Sequence, residues 1–229
     1  MKKIATVFMA VTTVLLAKSL NHEHVAQLIH KGETIAQVLC DTAKLPSAEG
    51  TIEEIMMQIE TSHACKKLSK SKRKAVAYYL RHGRAQATTA QTMEVPKGAK
   101  CPVCGMFVSK YPKWAAKMEV NGHTHYFDGV KDMMKYYIFD GDFPYDRKKI
   151  TQMEVTDYYT LEAFPAQRAW FVYDSKLYGP MGRELIPFRT EEAAKNFVAD
   201  HGGERIVRFK DITAKMVMAL DGIEYDEKN

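Results

Sequence analysis

Apolar residues recur at helical spacing as far as about residue 82 and at strand spacing beyond Met93, so one chain must build two different kinds of structure in succession. Its 229 residues allow this, since a domain takes about 150. In the first stretch, Glu33 to Cys40 places its apolar residues on one helical face, and Pro46-Ser47-Ala48-Glu49-Gly50 interrupts it. Thr51 then offers an N-cap with Glu53 and Glu54 in the first turn, and Ile52, Ile55, Met56 and Ile59 carry the helical period onward. The spacing predicts a last helix over about 69–80, ended by the basic Arg81 and His82 and stopped at Gly83. The small polar residues that follow read as a linker, over 84–99.

The second stretch opens on a hairpin. Residues 117–120 and 123–127 flank Asn121-Gly122, the strongest short-range turn signal between strands. Asp128 then precedes a helical run over 130–139. A similar series follows, with strands at 169–173 and 185–188, a helix from Thr190-Glu191-Glu192 to Asp200 stopped by His201-Gly202-Gly203, and a third strand over 204–209. Phe127 and Phe188 hold equivalent strand ends before the two helices. The expected class is therefore α+β: a body of two related ββα(β) units after a small helical module at 20–83. The second unit carries a longer insertion between its strands, which holds Gly179-Pro180-Met181-Gly182. Residues 213–229 read as a C-terminal tail whose acidic end, from Asp221, is expected to be disordered.

Composition excludes the extremes. With 46% hydrophobic and 27% charged residues, the chain is too apolar to be disordered or fibrous. A formal charge of +5 is mild, and its one concentrated run, Lys66-Lys67-Leu68-Ser69-Lys70-Ser71-Lys72-Arg73-Lys74, reads as a solvated helix face, so no nucleic-acid partner is expected. Lys2-Lys3, an uncharged apolar stretch from Ile4 to Ala17 and Ala17-Lys18-Ser19 describe a signal peptide over 1–19. Export to the periplasm follows, with Leu20 as the mature start or the signal retained as a tether. No cysteine stands near that junction, so lipid attachment there is not expected.

Four cysteines and 13 methionines raise the question of a soft metal. Most methionines read as core filling, Met133 and Met134 among them. Cys40 and Cys65 lie in different predicted helices, and in an exported protein a disulfide between them is the default, worth about 3 kcal/mol. A free or metal-binding pair is the alternative. Cys101-Pro102-Val103-Cys104-Gly105-Met106 admits four readings. It can be a thiol–disulfide motif, although Gly105, Tyr111 and Pro112 leave no helix to start directly after it. It can be a zinc knuckle completed by His123 and His125, which share one side of a strand. It can be a Cu(I) site built on Cys104 and Met106, because thiolate and thioether are soft donors. The fourth reading is a structural disulfide between Cys101 and Cys104. Met181, set in a loop between glycines, reads as less suited to burial than the helical methionines, whereas His201 reads as a helix-end residue and His63 and His82 as surface groups.

Cys104-Gly105-Met106, Tyr126-Phe127-Asp128, Ala169-Trp170-Phe171-Val172, Gly179-Pro180-Met181-Gly182, Ile186-Pro187-Phe188, Glu192-Ala193-Ala194 and His201-Gly202-Gly203 together resemble the NosL family, over about residues 100–212. The resemblance implies an exported Cu(I)-binding metallochaperone, not an enzyme, with two ββαβ-type units. It implies copper delivery to nitrous-oxide reductase through a membrane-associated maturation complex with an ABC transporter. The family's Cys-x-Met falls on Cys104 and Met106 and its Met-Gly on Met181, while Cys101 has no firm counterpart and stands as a spare thiol or second ligand. The expected Cu(I) ligands are Cys104 and Met181, with Met106, His123 or His125 as the third donor. Two or three such ligands hold the metal and leave a position open for transfer, which a closed tetrahedral site does not. The chain departs from the family in lacking a lipobox cysteine, so membrane association is expected only through a partner or an uncleaved signal. It also carries the extra helical module, which bears some resemblance to a c-type cytochrome module without the Cys-x-x-Cys-His that attaches haem. A periplasmic thiol–disulfide oxidoreductase using Cys101 and Cys104, or a zinc-stabilised interaction module, are the competing functions.

Overall fold

The computed structural model describes residues 22–89 and 92–226, without the side chains of 84–89. The export signal expected at 1–19 lies outside the described residues. The chain divides into two compact units, one ending at Ala90 and the other beginning at Gln91.

The first unit is built from α1 (22–39), α2 (Ile52–Thr61) and α3 (Lys70–Thr89). Thr51 caps α2 as its sequence predicts: its hydroxyl accepts the Glu54 N–H, and the Glu54 carboxylate accepts the Thr51 N–H in return. Ile35 and Ala36 of α1, Ile55 and Ile59 of α2, and Ala75 to Ala77 of α3 form its core. The helices α1 and α3 touch at Gly32, where a Cβ would stand 2.0 Å from the Ala75 carbonyl oxygen. Cys40 and Cys65 are disulfide-bonded. They lie just after α1 and α2 rather than within them, in a short antiparallel bridge closed by Asp41 N–H to Ala64 O (2.7 Å) and Lys66 N–H to Leu39 O (2.9 Å).

The expected stop at Gly83 does not occur. Helix α3 runs to Thr89, so the start of the stretch read as linker is helical. Gly83 keeps a helical backbone, outside the positive-φ residues, and a Cβ there would meet the Tyr79 ring at 2.7 Å and Ile29 at 3.4 Å. This glycine serves close packing, and a sequence alone does not separate that use from a helix cap.

The second unit contains two antiparallel sheets. The first runs β2-β1-β3-β4, from β1 (Ala116–Val120), β2 (His123–Phe127), β3 (Ile150–Thr156) and β4 (Ala163–Pro165); the second runs β6-β5-β7, from β5 (Trp170–Tyr173), β6 (Leu185–Phe188) and β7 (Arg205–Arg208). Helix α4 (Val130–Ile138) follows β2 and α5 (Glu191–His201) follows β6. The repeat is thus ββαβ twice, with the same local strand order. Phe127 pairs with Ala116, Phe188 pairs with Trp170, and both phenylalanines are fully buried. The Asn121-Gly122 turn has positive φ at both residues, as a two-residue hairpin requires. The β3 strand escapes the sequence reading because only Met153 and Val155 mark its inward face among Thr, Gln and Glu.

Within the described range the stretch after 212 packs onto the body, and the disorder expected from Asp221 does not begin there. Thr213 caps α6 (Ala214–Ala219), Val217 and Leu220 are buried, and Asp221 pairs with Lys131 and Lys135. Apolar burial at two points and a buried counter-ion outweigh the acidic composition of the segment.

Candidate metal centre

Residues 100–107 form a tight knuckle. A bridge between Lys100 and Phe107 closes it, Cys101 N–H donates to Met106 O and Gly105 N–H to Cys101 O, both at 2.9 Å. Gly105 sits at φ +78°, a conformation that favours glycine. This turn aims backbone N–H groups at sulfur: Cys104 and Val103 donate to Cys101, and Met106 donates to Cys104. Such donors stabilise thiolates. Both cysteines are free thiols, so the reading of a disulfide within the motif is corrected. No strand leads into the knuckle and a single 3-10 turn (Val108–Lys110) follows it, unlike the strand–motif–helix setting that activates a redox cysteine.

The thiols face two carboxylates from the start of α4. Cys104 donates its S–H to Asp128 (3.1 Å) and Cys101 to Asp132 (3.4 Å). One donor atom from each of these four residues lies within 4.8 Å of all the others. Asp128 and Asp132 are almost fully buried, and Asp128 Oδ2 has no hydrogen-bond partner among the described residues. A buried carboxylate oxygen without a partner is unstable alone, which is the arrangement a bound cation relieves. Burial pushes the Cys101 thiol up to about 12, with the neighbouring Asp132 and Asp128 adding to it against the backbone donors. Burial also raises Cys104 far above the usual thiol range, and its bond to Asp128 adds to that. Both groups therefore hold their protons at neutral pH until a metal displaces them.

Sequence reasoning missed Asp128 and Asp132. Asp128 stands just past the β2 end and Asp132 in the first turn of α4, so two acids flanking a strand-to-helix junction were the signal present in the chain.

The loop bearing Met181 is tied to the same helix turn. Gly179 and Gly182 pair through both backbone bonds, leaving Pro180 and Met181 at the tip, where Met181 is 43% exposed. Its carbonyl accepts from Lys131 Nζ at 2.8 Å. Lys131 is itself 1% exposed and also binds Asp221 at 2.6 Å. Helix α4 has no side-chain cap of its own; Glu184, beyond the Met181 loop, accepts the Lys131 N–H at 2.5 Å instead. Met106 is half-buried beside Cys104, whereas Met133 and Met134 are core residues. The structure does not bring His123 or His125 into the cysteine–aspartate group. His123 is exposed, and His125 packs its ring on Tyr136 at 5.3 Å and is held below its usual pKa by burial and by His123.

The family model for NosL matches residues 92–217, more than half of the chain. The chain belongs to the NosL family. The match covers the knuckle, both ββαβ units and most of α6, and leaves the helical module outside it. Among solved structures, the copper chaperone NosL from Shewanella denitrificans is similar at 22% identity and a TM-score of 0.48, covering 54% of this chain and 96% of that one. The apo-NosL protein from Achromobacter cycloclastes is similar at 25% identity and a TM-score of 0.34, covering 44% and 87%. No curated protein matches the chain.

Proposed function

We propose that this NosL-family chain is a periplasmic Cu(I)-binding metallochaperone without turnover of its own. The observation that carries the reading is a preformed knuckle of two free thiols, one of them half-buried, whose S–H groups meet the carboxylates Asp128 and Asp132 within one four-donor cluster. Soft donors select Cu(I), and the half-open position at Cys104 lets an incoming ligand from a client compete for the metal. Cys104 and Met181 form the core of the site, Met106 is the third donor and Cys101 the second thiolate. Asp128 and Asp132 take the hydrogen bonds of the empty thiols and offset the metal's charge. The client is nitrous-oxide reductase, reached through its membrane-associated ABC-type maturation complex. The family match over residues 92–217 supports this reading.

Anaerobic titration with Cu(I) against a competing chelator tests it. One tightly held Cu(I) per chain is the expected result, with loss in Cys104→Ala; unchanged affinity in both Cys104→Ala and Met181→Ala would defeat the assignment. The thiol oxidoreductase reading fits poorly, because raised thiol pKa values leave little thiolate to attack a disulfide. A zinc-stabilised module has one observation in its favour, the four-donor set of two cysteines and two aspartates in place of the histidines expected from sequence. Preference for Zn²⁺ over Cu(I) in the same competition would move the assignment there.

A further inference from the structure

Neither the basic run at 66–74 nor the helical module that carries it is used by the copper site. The module has a cavity of about 380 Å³ lined by Ile59, Glu60, His63, Cys65, Lys66, Lys67, Leu68 and Arg73. That volume falls in the range of organic-ligand pockets, roughly 300–1,000 Å³. Three fixed cations and an imidazole surround it against one carboxylate, and that carboxylate, Glu60, is already paired with the Arg73 Nη1. Lys66 and Lys67 have no ion-pair partner among the described residues.

Arg73 carries the second observation. Its Nε is buried and has no hydrogen-bond partner among the described residues. That buried Nε is closed to the cavity, but the guanidinium beyond it lines the wall, holds Glu60 with one terminal nitrogen and adds its charge to that of Lys66 and Lys67. Ile59 and Leu68 give the cavity an apolar wall, with 2% and 9% exposure. The rim is held in place before any ligand arrives. His63 sits at φ +50°, a strained setting for a residue with a side chain, and the Cys40–Cys65 disulfide with its two flanking backbone bonds anchors the following residues. Preorganised lining raises affinity by removing the ordering penalty from binding.

We propose that this cavity is a binding site for an organic phosphate, its oxyanion held by Arg73, Lys66 and Lys67 and its apolar part against Ile59 and Leu68. A soluble phosphate ester and an anionic phospholipid headgroup present the same chemistry, and the test separates them. Isothermal titration of the full chain uses glycerol 3-phosphate, with glycerol as the uncharged control, beside flotation with phosphatidylglycerol or phosphatidylcholine vesicles. The expected result is saturable binding of glycerol 3-phosphate and none of glycerol. The double variant Lys66→Glu, Lys67→Glu should weaken it by at least about tenfold. The pair Lys70→Glu, Lys74→Glu, from the same run but outside the lining, should weaken it by less than about threefold through screened long-range charge alone. Arg73→Lys keeps the charge, loses the fork and should also weaken binding. Phosphatidylglycerol flotation that glycerol 3-phosphate competes away assigns the site to the headgroup; binding of the soluble ester without flotation assigns it to a soluble ligand. Absence of saturable binding, or equal losses in the two lysine pairs, overturns the proposal.

Discussion

The two ββαβ units of the NosL body share strand order and differ in what they attach to it. Both end their second strand in a buried phenylalanine, and both follow it with a helix that starts within three residues. After Phe127 come Asp128 and, four residues on, Asp132, which face the thiols. At the matching places after Phe188 stand Arg189 and the fully buried Ala193. Arg189 is spent on structure: its backbone N–H bonds Asp157, its side chain bonds the Ala163 carbonyl and Glu162, and its guanidinium lies over Phe164. The hairpins differ in the opposite sense, with a two-residue turn in the first unit and the Met181 loop in the second. One unit thus carries the carboxylates that face the thiols, and the other carries Met181, the thioether of the proposed site. A repeated scaffold leaves its connecting loops and strand-to-helix junctions free to diverge, because they lie outside the strand pairing that defines the repeat.

The helix starts make the same point. Thr190 caps α5 with its own hydroxyl, while α4 relies on Glu184 from the other unit. A local cap closes one unit; a distant cap welds two together and sets the Met181 loop against the first turn of α4.

Five measurements sharpen or break this division. Cys104→Ala should lower Cu(I) affinity by more than about a hundredfold, beyond what changes to groups behind a ligand produce, and Arg189→Gln should leave it unchanged; equal losses would mean that the helix start of the second unit, here read as structural, also serves the site. Because both thiols are raised and hold their protons, wild-type affinity should also climb with pH across the neutral range, by up to about tenfold per unit for each proton displaced. Next in size, Gly129→Ala places a Cβ 2.1 Å from Glu184 Oε2 and should destabilise the body by about 2–3 kcal/mol through lost capping and overpacking, read by denaturant unfolding. The backbone there is extended at φ −168°, so a neutral result would show that Glu184 is not fixed against α4. Met181→Ala should reduce Cu(I) affinity by about tenfold without changing stability, as the loss of one exposed donor.

The last measurement concerns Glu184 itself. Burial raises its carboxyl from 4.5 to about 8, against the pull of the Leu185 and Lys131 N–H groups and the Lys131 charge. The folded chain then binds a proton that the unfolded chain releases between these values, so its contribution is complete below about pH 4.5 and lost as pH rises through 8. Thermal unfolding of the body should fall by several degrees over that window, and Glu184→Gln should flatten the dependence. A wild-type curve already flat would remove Glu184 as a buried acid.

Much of this architecture was legible because it is written in local chemistry. Asn121-Gly122, the Thr51 and Thr190 caps, the Gly202 stop and the short apolar runs of β5 and β6 each act over a few residues, and each appears where its sequence places it. The knuckle at Cys101 and Cys104 belongs with them. What long-range packing decides was not legible. Gly83 looks like a helix stop until Tyr79 and Ile29 are seen against it, and the acidic end of the chain looks free until Asp221 meets Lys131. His123 and His125 share a strand face with metal-ligand spacing, yet the side chains that reach the thiols are Asp128 and Asp132. Sequence determined the turns, the caps and the place of the paired cysteines, since those depend on neighbours along the chain. Tertiary structure alone decided which charges were buried together around them, since desolvation depends on what the fold brings alongside.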